Sequence, residues 1–288
     1  MNVANSPHFR PFKVIGIGAT FSPNLTANLS EAARLSLFFD AKLVVIHVGE
    51  ASPDKRQQFE AILSPFVAQG LCFECIFMPG KPVAVILHTT EALKIDLLII
   101  GALQRENVLN YYLGSIARKV SRSVKCHILL LIKPSIKRVA CNHIVVNGLE
   151  NPKTEQSIHI ACYVGAQLGA SKMTIVEEIR HQEIHVNVKD DTSLRRATIV
   201  REKLRRREDS RVQNIVNAIP KTMKSQMSIN TQSIFGKRGY SIGHYAEMAR
   251  ADLLVMNAHS KTRFWDRLFP HDIEHILTEL PTDVLILQ

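Results

Sequence analysis

The chain has 288 residues, 46% of them hydrophobic, and a formal net charge of +10, which is material for about two domains with a core in each. No apolar run approaches the ~20 residues that cross a bilayer, which excludes membrane insertion, and the opening MNVANSPHFRPF has no apolar signal core, so export is not expected. Five cysteines, an odd number, fit a reduced cytoplasmic setting, and the positive balance favours anionic partners such as nucleotides, nucleic acid or an acidic surface.

In chain order, Val14–Gly18 is a short apolar run and reads as a buried strand. Ser22-Pro23 supplies a cap and a first-turn proline, which predicts a helix from Pro23 to about Phe39. Leu43–Val48 is the second strand. Ser52-Pro53 opens a second helix that ends near Gly70, and Leu71–Met78 is the third strand. A helix over Pro82–Leu93, a strand over Leu97–Ile100, a helix over Gly114–Val124 and a fifth strand over Ile128–Ile132 complete the first half.

The second half repeats the first. Asp96-Leu97-Leu98-Ile99-Ile100 returns 156 positions later as Asp252-Leu253-Leu254-Val255-Met256, and the same offset carries Gly80-Lys81, His88 and Glu91 onto Gly236-Lys237, His244 and Glu247. Earlier in each half the offset is 129 at Pro23 and Pro152 and 130 from Ala41-Lys42-Leu43 to Ser171-Lys172-Met173, so the second copy holds an insertion of 26 residues between about Glu178 and Lys224. Strands are predicted near His143–Val146, Lys172–Val176, Gln226–Asn230, Leu253–Met256 and Val284–Leu287. Apolar strands alternating with helices imply α/β architecture: two tandem doubly wound domains with five-stranded parallel sheets, residues 1–138 and 139–288. Both fifth strands are apolar, so they are expected to pair as an intramolecular pseudo-dimer, with or without a further homodimer.

Ligands of such sheets bind outside the carboxyl ends of the strands. There the first copy reads Gly101-Ala102-Leu103-Gln104, nine residues, Gly114-Ser115. A glycine lets backbone approach a ribose or phosphate, and a helix N-terminus attracts anions. This pattern, in this strand order, resembles the universal stress protein family (an adenine nucleotide alpha hydrolase-like fold) over nearly the whole chain. In that family the loop has Gly, two residues, Gly, nine residues, Gly, then Ser or Thr, and it cradles the ribose and phosphates of ATP or AMP. The resemblance implies that Gly101, Gly114, Ser115 and Ile116 hold ribose and phosphates, that Thr20 faces the base or ribose, and that Val48 lines the adenine pocket. Two positions depart from the family pattern: Gln104 replaces the middle glycine, and Thr20 replaces an acid. In the second copy the matching residues are Asn257, Ser260, Pro270 and His271, so nucleotide binding in the family's manner is not expected there.

Other constellations carry less. His271-Asp272-Ile273-Glu274-His275 matches a zinc-peptidase spacing without a third ligand, and His181 and His185 lie in a polar stretch. Cys72 and Cys75 fall in the third strand rather than at a helix start, which argues against redox chemistry. His88 and His244 read as helix-surface or packing residues, and neither a metal nor a catalytic set is expected. The insertion is basic from Arg195 to Arg211, with Leu194, Ile199 or Val200, Leu204 and Val212 at helical spacing. It is either a solvated helix face or an anion-binding surface. The sequence thus points to a cytoplasmic stress-response or regulatory protein, not an enzyme beyond slow ATP hydrolysis. It would hold ATP or AMP in copy one and act through a regulatory protein partner. The alternative is a ligand-independent module that binds nucleic acid or an acidic protein through the basic insertion.

Overall fold

In the computed structural model, residues 9–104, 111–180, 189–224, 227–236, 240–258 and 280–288 are described. The chain divides into two compact units. Of the described residues, one unit holds 9–140, 258 and 280–288, and the other 141–257.

The first unit contains β1 (Val14–Gly18), α1 (Leu25–Phe39), β2 (Lys42–Val48), α2 (Pro53–Val67), β3 (Phe73–Met78), α3 (Pro82–Ala92) and β4 (Leu97–Gly101). A short ladder of β5 (Leu103–Gln104) and β6 (Tyr111–Tyr112) follows, then α4 (Ser115–Ser123) and β7 (His127–Leu131). The second unit contains β8 (His143–Asn147), α5 (Thr154–Leu168), β9 (Lys172–Arg180), α6 (Asp191–Ala218), α7 (Lys221–Lys224), β10 (Ser228–Gly236), α8 (Tyr240–Met248) and β11 (Leu253–Asn257). The last strand, β12 (Asp283–Leu287), belongs by its contacts to the first unit.

The sheet of the first unit runs β12-β7-β4-β1-β2-β3. β1 lies parallel between β4 and β2, with Ile17 opposite Ile99 and Gly18 opposite Ile46. The chain moves outward from β1 through β2 to β3, then returns to β4 on the other side. The switch point therefore falls between the carboxyl ends of β1 and β4. β12 adds antiparallel to β7, with Leu285 opposite Leu129, so the two fifth strands pair as their apolar edges predict. Asp283 Oδ1 accepts from the Ile132 amide at 2.7 Å, and the Gln288 amide donates to His127 Nδ1 at 3.0 Å. The second unit repeats the parallel order as β10-β9-β8-β11.

The duplicated residues explain themselves in the backbone. Asp96, just before β4, accepts from the amides of Lys13 and Val14 at 2.8 and 3.0 Å. Asp252, just before β11, accepts from Asn142 and His143 at 2.7 and 2.9 Å. Each carboxylate ties the start of the fourth strand to the start of the first. The residues two positions earlier, Lys94 and Arg250, both take left-handed conformations, with φ of 49° and 50°. The caps of α1 and α5 match too: Asp40 (φ 50°) and Gly169 (φ 75°) both end their helices in the left-handed region.

Three sequence expectations shift. α1 begins at Leu25 rather than Pro23, because Ser22 and Pro23 sit in a turn: the Ser22 amide donates to Thr20 O and the Leu25 amide to Ser22 O. Strands β9 and β10 run on past Val176 and Asn230 to Arg180 and Gly236. In the insertion, α6 opens on a capping box formed by Asp190 and Ser193, but it buries Ala197, Val212 and Val216, while Leu194 and Ile199 are 50% and 56% exposed. No helix among the described residues is long and apolar enough to cross a membrane.

Candidate functional site

The predicted residues converge on the switch point of the first unit. Gly18 ends β1, Val48 ends β2 and Gly101 ends β4, so all three share one rim of adjacent strands. Thr20 lies two residues beyond β1 and is exposed, while Val48 and Gly101 are half-buried. The loop that carries Thr20 is fastened from behind. The Ala19 amide donates to Ile46 O at 2.8 Å, and His47 Nδ1 lies 3.0 Å from Ala19 O. Phe21 stacks on Phe59 at 5.1 Å and meets His47 edge-on at 5.0 Å, and Phe59 stacks on Phe77 at 5.6 Å. This aromatic cluster holds the loop so that Thr20 faces outward without needing to pack.

Gly101 makes a close approach to α1. A Cβ there would stand 3.1 Å from Asn28 Oδ1 and 3.3 Å from its Nδ2. Asn28 sits in the first turn of α1, and its amide donates to Asn24 O at 2.9 Å. Its Oδ1 is buried and has no hydrogen-bond partner among the described residues. An acceptor left so costs about 1–3 kcal/mol, which a ligand hydroxyl or amino group would recover. Asn28 was absent from the sequence-derived set; its only signal is a polar residue on the first turn that follows the switch-point loop.

Beyond Gly101, the Ala102 amide donates to Leu131 O at 2.7 Å. Gln104 then pairs by its backbone with Tyr111, and Leu103 with Tyr112. The departure from glycine at this position therefore falls in a strand ladder, where a side chain is no obstacle to the backbone. Residues 105–110 lie outside the described set. Gly114 is the cap of α4, in extended conformation, and no side chain caps the helix. Ser115 is thus the first helical residue rather than the cap. The amide of Arg118 closes the first turn on Gly114 O at 2.9 Å, which leaves the amides of the Ser115–Ala117 turn without intrahelical acceptors. Ser115 and Ile116 are exposed, Ile116 by 45%, and Leu113 beneath them is buried. The result is an open helix N-terminus leading from the same rim, suited to an anion.

The second unit fills the same places with its own side chains. Asn257 stands where Gly101 does; its Oδ1 accepts from Ser157 Oγ and its Nδ2 lies 3.4 Å from Thr154 Oγ1. Ser157 is the counterpart of Asn28, so the acceptor left open in the first unit is satisfied in the second. Just past β8, Arg211 of α6 donates to Gly148 O, the counterpart of Ala19. Arg211 also lies 3.0 Å from Glu208 and 3.5 Å from Glu177. Glu177 is only 2% exposed, and Ser233 Oγ stands 3.5 Å from it. Burial pushes its carboxyl up to about 8, against the pull of Arg211 and with the help of Glu208 and Asp209. Glu178, the counterpart of Val48, is buried and accepts from the Ile242 amide at 2.7 Å. Ser260, Pro270 and His271 of the second loop lie outside the described residues, as do His181, His185 and His275.

The remaining constellations resolve locally. Cys72 precedes β3 rather than lying in it and is exposed, while Cys75 is half-buried, its thiol pushed up to about 11 by burial. A thiol so protonated is a poor nucleophile. His88 and His244 are exposed on α3 and α8, the latter 3.8 Å from Glu247. Among the described residues no group of three or more His, Cys, Asp or Glu is placed to hold a metal.

Residues 50–131 match the model of the Universal stress protein family. Among solved structures, a putative universal stress protein from Pseudomonas aeruginosa aligns with a TM-score of 0.66 at 14% identity, over 96% of this chain and 93% of that one. A functionally unknown protein from the same species aligns at 0.67 and 14%, over 100% and 94%. A universal stress protein from Archaeoglobus fulgidus aligns at 0.62 and 15%, over 96% and 98%. None of the curated proteins matches the sequence. The chain thus has the fold of universal stress proteins over both of its repeats, and within the first repeat residues 50–131 match that family's model.

Proposed function

We propose that the first repeat binds an adenine nucleotide, ATP or AMP, at the rim of β1, β2 and β4, and that the protein is a regulator rather than an enzyme. The two duplicated domains would be residues 1–138 and 139–288, and only the first keeps the site. The observation that carries this reading is Gly101 pressed against Asn28, with the buried Asn28 Oδ1 unpaired. A ribose hydroxyl or an adenine amino group is a donor of the kind that acceptor requires. The open amides of α4, from Ser115 to Ala117, face the need of a phosphate. Thr20 offers a hydroxyl to the ribose or base in place of a carboxylate. Val48 supplies an apolar wall, and Ile116 covers the phosphate end. Exposed Lys119, one turn into α4, adds positive charge beside it. The chemistry here is recognition: among Thr20, Asn28 and Ser115 there is no general base. The bound and free forms would differ in what they present to a partner protein, in a cytoplasmic setting.

Calorimetric titration with ATP, ADP and AMP tests this. The expected result is one site per chain, lost in Asn28→Ala and in Gly101→Val and unchanged in Asn257→Ala. Absence of heat at millimolar nucleotide with folded protein removes the proposal.

A further inference from the structure

Helix α6 takes the place that α2 has in the first repeat, between the second and third strands, but runs for 28 residues against 15, and its charges are sorted by side. Facing inward, Glu208 and Asp209 are engaged with Arg211 and Ser233: Arg211 Nε lies 3.0 Å from Glu208, and Ser233 Oγ lies 3.3 Å from Asp209. Facing outward, Arg195, Arg196, Lys203, Arg206 and Arg207 are all exposed, while Arg201, though exposed, stands over the Phe235 ring at 5.8 Å. Arg206 and Arg207 make solvent-exposed pairs with Glu202 at 3.1 Å and Glu150 at 3.3 Å, contacts that compete weakly with a stronger anion. Arg195, Arg196, Lys203 and Arg205 have no carboxylate within ion-pair distance among the described residues.

At 100° per residue, Arg195, Arg196, Lys203, Arg206 and Arg207 fall within an arc of about 120°, and the stretch from the first to the last is about 18 Å long. The helix is preformed: Asp190 and Ser193 cap its start, Ala197, Val212 and Val216 seat it, and Arg211 pins it to Gly148 O. Rigid guanidinium groups lose little freedom on contact with phosphate and bind it in two-pronged fashion. Ala197, Val212 and Val216 are turned into the fold, and the exposed Leu194 and Ile199 are two separate side chains that make no continuous apolar face to enter a membrane. No aromatic residue interleaves the arginines, so there is no platform for unstacked bases.

We infer that the outward face of α6 is a docking surface for double-stranded nucleic acid, reading the phosphate backbone and not the base sequence. The site lies in the second unit and is independent of the nucleotide proposed for the first.

Fluorescence anisotropy of the full chain with a labelled DNA duplex, across a range of salt, tests the inference. Neutralising five phosphates predicts that log K falls with log salt at a slope of about −4.5. Lys203→Ala/Arg206→Ala/Arg207→Ala should reduce the slope to about −2 and weaken low-salt binding by at least tenfold. Arg195→Gln/Arg196→Gln, at the other end of the face, should give a smaller loss in the same direction, and circular dichroism confirms that both variants are folded. Failure to bind duplex at low salt overturns the inference. So does equal binding by the variants, tighter binding to the single strand, or preference for vesicles of phosphatidylserine and phosphatidylcholine.

Discussion

Replacing Glu177 with Gln should remove a pH dependence from the stability of the second unit. Glu177 is 2% exposed, and its carboxyl is raised from an ordinary 4.5 to about 8, chiefly by burial. Between those values the folded state holds a proton that the unfolded state has released. Raising the pH therefore pulls the equilibrium toward unfolding: the contribution is fully present below the ordinary value and gone above the raised one. One pH unit inside the window is worth about 1.4 kcal/mol, so its whole width amounts to roughly 5 kcal/mol. Gln keeps the shape and a hydrogen bond for Ser233 but does not titrate, and Arg211 retains Glu208 and Gly148 O. The assay is urea unfolding followed by far-UV circular dichroism, to which the 28-residue α6 contributes strongly, at several pH values from about 5 to about 8. The variant should lose about 4 kcal/mol less than the parent across that range. Parallel profiles for the two proteins would refute the burial argument.

Other consequences follow from the same geometry. Asp252→Ala leaves the Asn142 and His143 amides without their acceptor and should cost about 1–3 kcal/mol; Asp96→Ala should do the same to the first unit, both read by urea unfolding. Asp40→Gly should stabilise the first unit by about 1 kcal/mol in thermal unfolding, because a β-carbon is removed from a left-handed cap while the exposed pair with Arg10 contributes little. Asp190→Ala abolishes the capping box and should speed hydrogen exchange in the first turns of α6, leaving the Val212–Val216 end protected. Protection lost evenly along the helix would instead mean that α6 unfolds as one block.

Most strands were legible because they are buried on both faces and so read as uninterrupted apolar runs, as in Leu43–Val48 and Leu97–Ile100. The same rule cut β9 and β10 short. Glu177, Glu178 and Ser233 look like loop residues in sequence, yet they are buried beside partners far along the chain: Arg211 for Glu177, the Ile242 amide for Glu178, and Asp209 for Ser233. Periodicity within a window cannot register such partners. The inward face of α6 was misjudged for a related reason: Ala197 buries itself quietly, while Leu194 and Ile199 advertise an apolar face that the fold leaves outside. At the candidate site, the glycine and serine spacing marked the rim, but Asn28 reaches Gly101 only once α1 is laid beside β4.

The antiparallel partnership of β7 and β12 has a consequence for how the protein is made. Ile132, at the end of β7, waits for Asp283, which is translated 151 residues later. At ordinary elongation speeds that is an interval of roughly 8–30 s, during which the nascent first half offers an unclaimed row of backbone donors and acceptors beside His127–Leu131. A ribosome-bound chain halted before β12 would hence be a substrate for chaperones or for mispairing with a neighbouring nascent chain, and the arrival of β12 beside β7 would retire that risk.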